Sequence, residues 1–254
     1  MSIIVKGVTY ALEGKKLVDD INIRIDKREL VGFLGPNGAG KSTVLKLITG
    51  EIRPSTGEIT MAEKDMTSFS AKELAFHRAV MSQTYFSTFP IKVWALISLS
   101  RVYCNESIEK TSKIVSKVLN MVDGLELANR EVSTLSGGEK QKILIARALA
   151  QIDQPEEGIK TPKYLLLDEP TAALDLCQTS RMMGILRQAV DSLELGALII
   201  DHDIIAVQKY CDRCYLIKSG KILFSGSPRS IINAETIAET YDIEPQTACA
   251  FVLN

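Results

Sequence analysis

The chain has 254 residues, with 30 Lys or Arg against 31 Asp or Glu, for a formal net charge of −1. That length suits one large domain or two closely packed subdomains with a full core, and the charge balance gives no sign of a nucleic-acid surface. Five scattered cysteines (Cys104, Cys177, Cys211, Cys214, Cys249) form no disulfide framework and suit a reducing compartment. Met1 to Lys6 lacks signal-peptide anatomy, and the longest apolar runs, such as Val93–Leu99, fall far short of the ~20 residues of a membrane helix. A soluble protein is expected, with any membrane contact made through a partner.

In chain order, Ile3 to Tyr10 is rich in β-branched residues and reads as a strand. Gly14-Lys15-Lys16 makes a turn, and Ile21, Ile23 and Ile25 alternate along a second, half-buried strand. The two suggest an antiparallel sheet beside the main core. The apolar run Leu30 to Leu34 then leads into Gly35-Pro36-Asn37-Gly38-Ala39-Gly40-Lys41-Ser42-Thr43 and a helix. This strand, glycine loop and helix carry the spacing of a phosphate-binding loop (P-loop). Glycines let successive backbone N–H groups converge on an anion, and the helix N-terminus adds favourable field. Lys41 would neutralise the outer phosphates of a nucleotide, and Ser42 would offer its hydroxyl to Mg²⁺.

Gly50 suits a helix C-cap, Pro54 to Gly57 a turn, and Glu58 to Met61 a short strand. Ser70 caps a helix to Arg78, with Glu73 three residues on completing a capping box. A brief strand from Ala79 ends at Gln83. Tyr85 to Pro90 reads as irregular, and helices follow over roughly 91–103 and 107–122, the second amphipathic. Leu135-Ser136-Gly137-Gly138-Glu139 opens a further helix through Ala150 and makes a second possible phosphate site at a helix N-terminus. Asp153 to Lys163 reads as a surface loop.

Tyr164 to Leu167 is a continuous apolar run, as in a strand buried on both faces, and it ends in Asp168-Glu169. Adjacent carboxylates at the end of such a strand face the crevice where α/β sheets bind ligands. Asp168 would hold Mg²⁺, through water, and Glu169 would polarise an attacking water. Ala197 to Ile200 is another buried strand, ending in Asp201-His202-Asp203. Alone, His202 fits a surface turn; level with the two carboxylates it is placed to touch a terminal phosphate. His77 is more simply a surface residue at a helix end. Cys211-Asp212-Arg213-Cys214 lies where a helix end passes into a strand, open to packing or to a metal or redox role. A hairpin turns over Ser219-Gly220, and a helical tail follows from Ser227. The fold class is α/β: a P-loop nucleoside triphosphatase (NTPase) core with a mostly parallel sheet, a flanking antiparallel β part and an inserted helical part. The chain is expected to be one domain, with residues 1–83 and 160–226 as the core, 84–159 as the helical subdomain and 227–254 as the tail.

The P-loop at 35–43, Gln83, the Leu135–Glu139 signature, the 164–169 strand, Asp175 and His202 together resemble the ATP-binding subunit of an ABC transporter, over essentially the whole chain. The resemblance implies a head-to-tail homodimer with two ATP molecules between the copies. Each ATP would rest on Lys41, Ser42, Asp168 and Glu169 of one copy and be covered by Ser136, Gly137 and Gly138 of the other. It further implies adenine stacking on Tyr10, which would otherwise be an ordinary strand aromatic, and an Asp175 bridge across the dimer. His202 would sit at the γ-phosphate, and Gln83 would link nucleotide and Mg²⁺ to the helical part. The partners implied are integral permease subunits and, indirectly, a substrate-binding protein, with the chain peripheral on the cytoplasmic face of the inner membrane. Phe89-Pro90-Ile91-Lys92-Val93 resembles importers of iron chelates, haem and cobalamin, and the long loop 151–162 resembles the haem importers more than the siderophore ones. Trp94 to Arg101 departs from that branch in lacking a charged residue and a glycine before the arginine. A soluble, non-transport ABC ATPase is the alternative of another class; it is disfavoured by the single cassette and the lack of sustained heptads between 43 and 135.

Overall fold

The computed structural model describes residues 2–82, 90–153 and 161–252. The chain opens with β1 (Ser2–Leu12) and β2 (Lys15–Asp26), then β3 (Leu30–Leu34), α1 (Lys41–Ile48), β4 (Thr56–Met61) and β5 (Lys64–Asp65). α2 (Ala71–His77) and β6 (Arg78–Met81) follow, then α3 (Val93–Leu99), α4 (Ile108–Met121) and α5 (Gly137–Ile152). The remainder is β7 (Tyr164–Asp168), α6 (Leu176–Ser192), β8 (Gly196–Ile200), α7 (Ile204–Tyr210), β9 (Arg213–Lys218), β10 (Lys221–Gly226) and three short helices, α8 (Pro228–Ile231), α9 (Ala234–Tyr241) and α10 (Pro245–Ala248).

Two sheets result. A four-stranded antiparallel sheet runs β2-β1-β4-β5, and a six-stranded sheet runs β10-β9-β3-β8-β7-β6. The latter is parallel except for β10, which pairs antiparallel with β9 across the Ser219-Gly220 turn. Strands β3, β7 and β8 are buried along their whole length, which explains why they read as unbroken apolar runs rather than as alternating ones. Alternate residues still face opposite ways. Leu165, Leu167, Ala197 and Ile199 join a core with α3, α4, α5 and α6. Tyr164, Leu166, Leu198 and Ile200 join a second core with α1 and the antiparallel sheet. The six-stranded sheet is thus the middle layer, and α1 lies between the two sheets.

Local chemistry sets the helix starts. Ser70 and Glu73 form the expected capping box on α2, and Ser136 and Glu139 form another on α5. Asp175 and Asp203 cap α6 and α7 by accepting from the backbone N–H of Gln178 and Ala206. Two sequence expectations change. His77 is half-buried, with Nδ1 3.1 Å from the Pro162 carbonyl oxygen and its ring edge-on to Phe69 at 5.2 Å. The helix expected over 91–103 stops at Leu99, and a 3-10 turn follows at Val102–Cys104. There the fully buried Arg101 donates to the Ala150 and Asp153 carbonyls and to both Glu106 oxygens, capping the C-terminal end of α5. Gln83, Phe89 and most of the loop before Pro162 lie outside the described residues.

Cys211 ends α7 and Cys214 lies buried in β9, both as free thiols. Burial pushes both thiols up, Cys214 to about 12, as befits packing residues. Among the described residues no helix is long and apolar enough to cross a membrane, and no cluster of three or more His, Cys, Asp or Glu forms a metal cage.

Candidate active site

The strand order brings distant sequence motifs together. β3, β8 and β7 are consecutive neighbours in one parallel sheet, so their carboxyl ends share an edge. The P-loop leaves β3 there, Asp168-Glu169 ends β7, and Asp201-His202 follows β8. A cleft of about 560 Å³ opens at this edge, lined by Asn37, Gly38, Gly40, Lys41, Ser42, Thr43 and Glu169. Its other wall is Lys15, Lys16 and Leu17 from β2 with Ser219 and Gly220 from the β9–β10 turn.

Gly40 stands at the N-cap position of α1, and Lys41 is its first residue. The Lys41 side chain turns back on the loop, donating from Nζ to the carbonyls of Gly35 at 2.6 Å and Pro36 at 3.0 Å. Its head is buried, which lowers its affinity for a proton; the charges of Glu169 and Asp168 partly restore it. The Pro36 carbonyl also accepts from the Ala39 N–H, and the Ala39 carbonyl accepts from the Gly220 N–H at 2.9 Å.

Asp168 is buried, and burial together with the neighbouring Glu169 charge pushes its carboxyl up, while Lys41 and a hydrogen bond from Ser42 pull it down. A hydroxyl and a buried carboxylate side by side form a hard-oxygen pair that fits Mg²⁺, which takes one or two protein oxygens alongside phosphate and water. Glu169 adopts a left-handed backbone conformation (φ 50). Its N–H donates to the Ile200 carbonyl at 2.8 Å, and its own carbonyl accepts from Gln141 Nε2 of α5 at 2.6 Å. These ties hold its Oε1 2.9 Å from His202 Nε2.

The remaining sequence candidates lie elsewhere. Tyr10 is half-buried on β1 opposite Val18, outside the cleft lining. Ser136 and Gly137 are solvent-exposed at the start of α5 and do not line the cleft; Gly138 packs near Ala173 and Gln178. Asp175 is exposed at the start of α6. Three neighbours of the site are not singled out as site residues by the sequence: Gln141, the Gly220 turn and the buried Asp201. Gln141 is only a polar residue in an amphipathic helix, and Gly220 reads as hairpin punctuation. Asp201 shows one signal, an acidic residue at a buried strand end.

Residues 18–172 match the family model for ABC transporters. The chain belongs to the ABC transporter family. As an ABC ATPase it binds a nucleotide and hydrolyses ATP to ADP and phosphate. It is 35% identical to the hemin import ATP-binding protein HmuV of Escherichia coli O157:H7, over 93% of this chain and 90% of that one. With the protein of the same name from Gloeobacter violaceus it shares 34%, over 97% and 92%. Among solved ABC structures, a dimeric bacterial transporter cassette aligns with a TM-score of 0.78 at 26% identity, covering 89% of this chain and 99% of that one. The cbiO1 protein of Clostridium perfringens, part of an ABC transporter complex, aligns with a TM-score of 0.78 at 27% identity, over 97% and 96%.

Proposed function

We propose that this ABC ATPase powers hemin import, working as a head-to-tail homodimer on integral permease subunits at the cytoplasmic face of the cell membrane. The hemin-import relatives support the cargo. The observation that carries the catalytic reading is the Glu169–His202 pair, 2.9 Å apart, beside the Lys41 and Ser42 cleft. With ATP bound, the P-loop N–H groups of residues 38–42 would hold the phosphates. Lys41 Nζ would exchange the Gly35 and Pro36 carbonyls for phosphate oxygens, adding charge where the transferred group needs it. Ser42 and Asp168, with Gln83, would hold Mg²⁺, whose charge would offset that of the phosphates. Glu169 would orient the attacking water and accept its proton. His202 would steady the Glu169 carboxylate and meet the γ-phosphate, while Tyr10 would stack on the adenine.

The exposed start of α5, directed to solvent rather than to its own cleft, supports a site completed by a second copy. Ser136, Gly137 and Gly138 would then cover the partner's γ-phosphate, and Asp175 would lie at the dimer contact. Residues 84–159 would form the helical part that meets the permease, with a substrate-binding protein on the far side.

In the reconstituted transporter, ATP-driven uptake is expected for hemin over a ferric siderophore and cobalamin; preference for either of the others overturns the cargo. Glu169→Gln is expected to accumulate an ATP-bound dimer by light scattering, and a monomer at saturating Mg-ATP overturns the sandwich.

A further inference from the structure

Asp201 is 3% exposed, a buried carboxylate that does not line the cleft. Its carboxylate collects three donors. Oδ2 accepts from the Thr171 hydroxyl at 2.7 Å, and Oδ1 accepts from the backbone N–H of His202 at 2.7 Å and of Asp203 at 3.1 Å. Thr171 lies two residues beyond Glu169, and Asp201 lies one residue before His202. The Thr171–Asp201 bond therefore ties the turn carrying the carboxylate to the turn carrying the imidazole. It stands beside the Glu169–His202 contact and the Glu169 N–H bond to Ile200, making a third link between the ends of β7 and β8.

A buried carboxylate costs free energy unless its oxygens are well occupied. Burial pushes this one up, and the three donors hold it back. A neutral residue would avoid that cost, so the arrangement has to be explained by what the carboxylate holds.

We propose that Asp201 and Thr171 are positioning residues for hydrolysis: their buried hydrogen bond sets the Glu169 carboxylate and the His202 ring in register over the cleft. The proposal rests on the reading of Glu169 and His202 as the reacting pair. Neither Asp201 nor Thr171 lines the cleft, so loss of the bond moves the pair while the P-loop groups that bind the nucleotide stay in place. A displacement of about 1 Å at a reacting group costs on the order of 100-fold in rate. The signature is therefore a fall in kcat with KM for ATP preserved.

The test is steady-state hydrolysis by the full chain, with ATP titrated, for Thr171→Val, Asp201→Ala, the double variant, Asp201→Asn and Glu169→Gln. Thr171→Val keeps the shape and removes only the hydroxyl; it is expected to lower kcat by about 10- to 100-fold with KM within about twofold. The double variant should be no slower than Asp201→Ala, because the two changes break one bond. Asp201→Asn can still accept from the backbone and donate to the threonine oxygen, so it should recover most of the rate lost in Asp201→Ala. A Thr171→Val enzyme with unchanged kcat, or one whose loss appears in KM, overturns the proposal even if Asp201→Ala fails to fold. Glu169→Gln separates the two readings: if it hydrolyses normally, the reacting pair itself is wrong; if it is inactive while Thr171→Val is normal, only the positioning role falls.

Discussion

Replacing Gly220 with alanine tests whether the β9–β10 turn supports nucleotide binding, and Gly14 supplies the control. Both glycines occupy left-handed turns, with φ of +79 and +80. A Cβ on Gly14 would meet nothing within 4 Å, whereas one on Gly220 would sit 2.7 Å from the Leu17 carbonyl oxygen. Each substitution incurs the left-handed backbone cost of about 1–2 kcal/mol. Gly220→Ala adds a clash with backbone that cannot swing aside, about 1–3 kcal/mol more. At about 2–4 °C per kcal/mol for a chain of this size, Gly220→Ala should have the larger fall in Tm by scanning fluorimetry. The functional consequence is separate. Gly220 donates to the Ala39 carbonyl, and that bond steadies the P-loop corner. Alanine keeps the N–H, but the clash with Leu17 pushes it off the Ala39 carbonyl; that loss, about 1 kcal/mol, should raise KM for ATP by about fivefold in Gly220→Ala and leave it unchanged in Gly14→Ala. Equal Tm losses, or equal KM values, would refute the bracing argument.

Arg101→Met would strand Glu106 and the Ala150 and Asp153 carbonyls in the interior, at a cost of about 3–5 kcal/mol in urea unfolding; adding Glu106→Leu should recover part of it. Arg101 hydrogen bonding holds the Glu106 carboxyl below its ordinary value of 4.5. A depressed folded-state pKa stabilises above the unfolded value and loses that stabilisation as pH falls through the folded one. The stability gap between the wild type and Glu106→Gln should therefore be full at neutral pH and close in acid. Cys177 and Cys249 are exposed and should react quickly with a thiol reagent, half-buried Cys211, its thiol pushed up, more slowly, and buried Cys214 only on unfolding; peptide mapping distinguishes them.

Legibility differed between parts of the chain for physical reasons. The P-loop, the Asp168-Glu169 strand end and the Ser70–Glu73 capping box are local: each needs neighbours in sequence, and each reads directly. His77 does end α2, but its half-burial is not legible in the sequence, because its partners, Phe69 and the Pro162 carbonyl, are brought to it by packing. The break after Leu99 escaped for the same reason. Residues 93–103 carry no glycine or proline, and it is Arg101, drawn into the end of α5, that goes with the turn at Val102–Cys104.

Periodicity and motif spacing by themselves determined a nucleotide-binding α/β chain with an antiparallel flank and an inserted helical part, because fully buried strands and glycine loops leave local signatures. Only the tertiary structure decided which of those pieces meet. Parallel pairing of β3, β8 and β7 joins residues 41, 202 and 169, which no local rule relates. It also recruits Gln141, Gly220 and Asp201, whose contributions are a hydrogen bond to Glu169, a backbone donor to the P-loop and a buried carboxylate. Such contributions depend on distance in space, and a sequence records only distance along the chain.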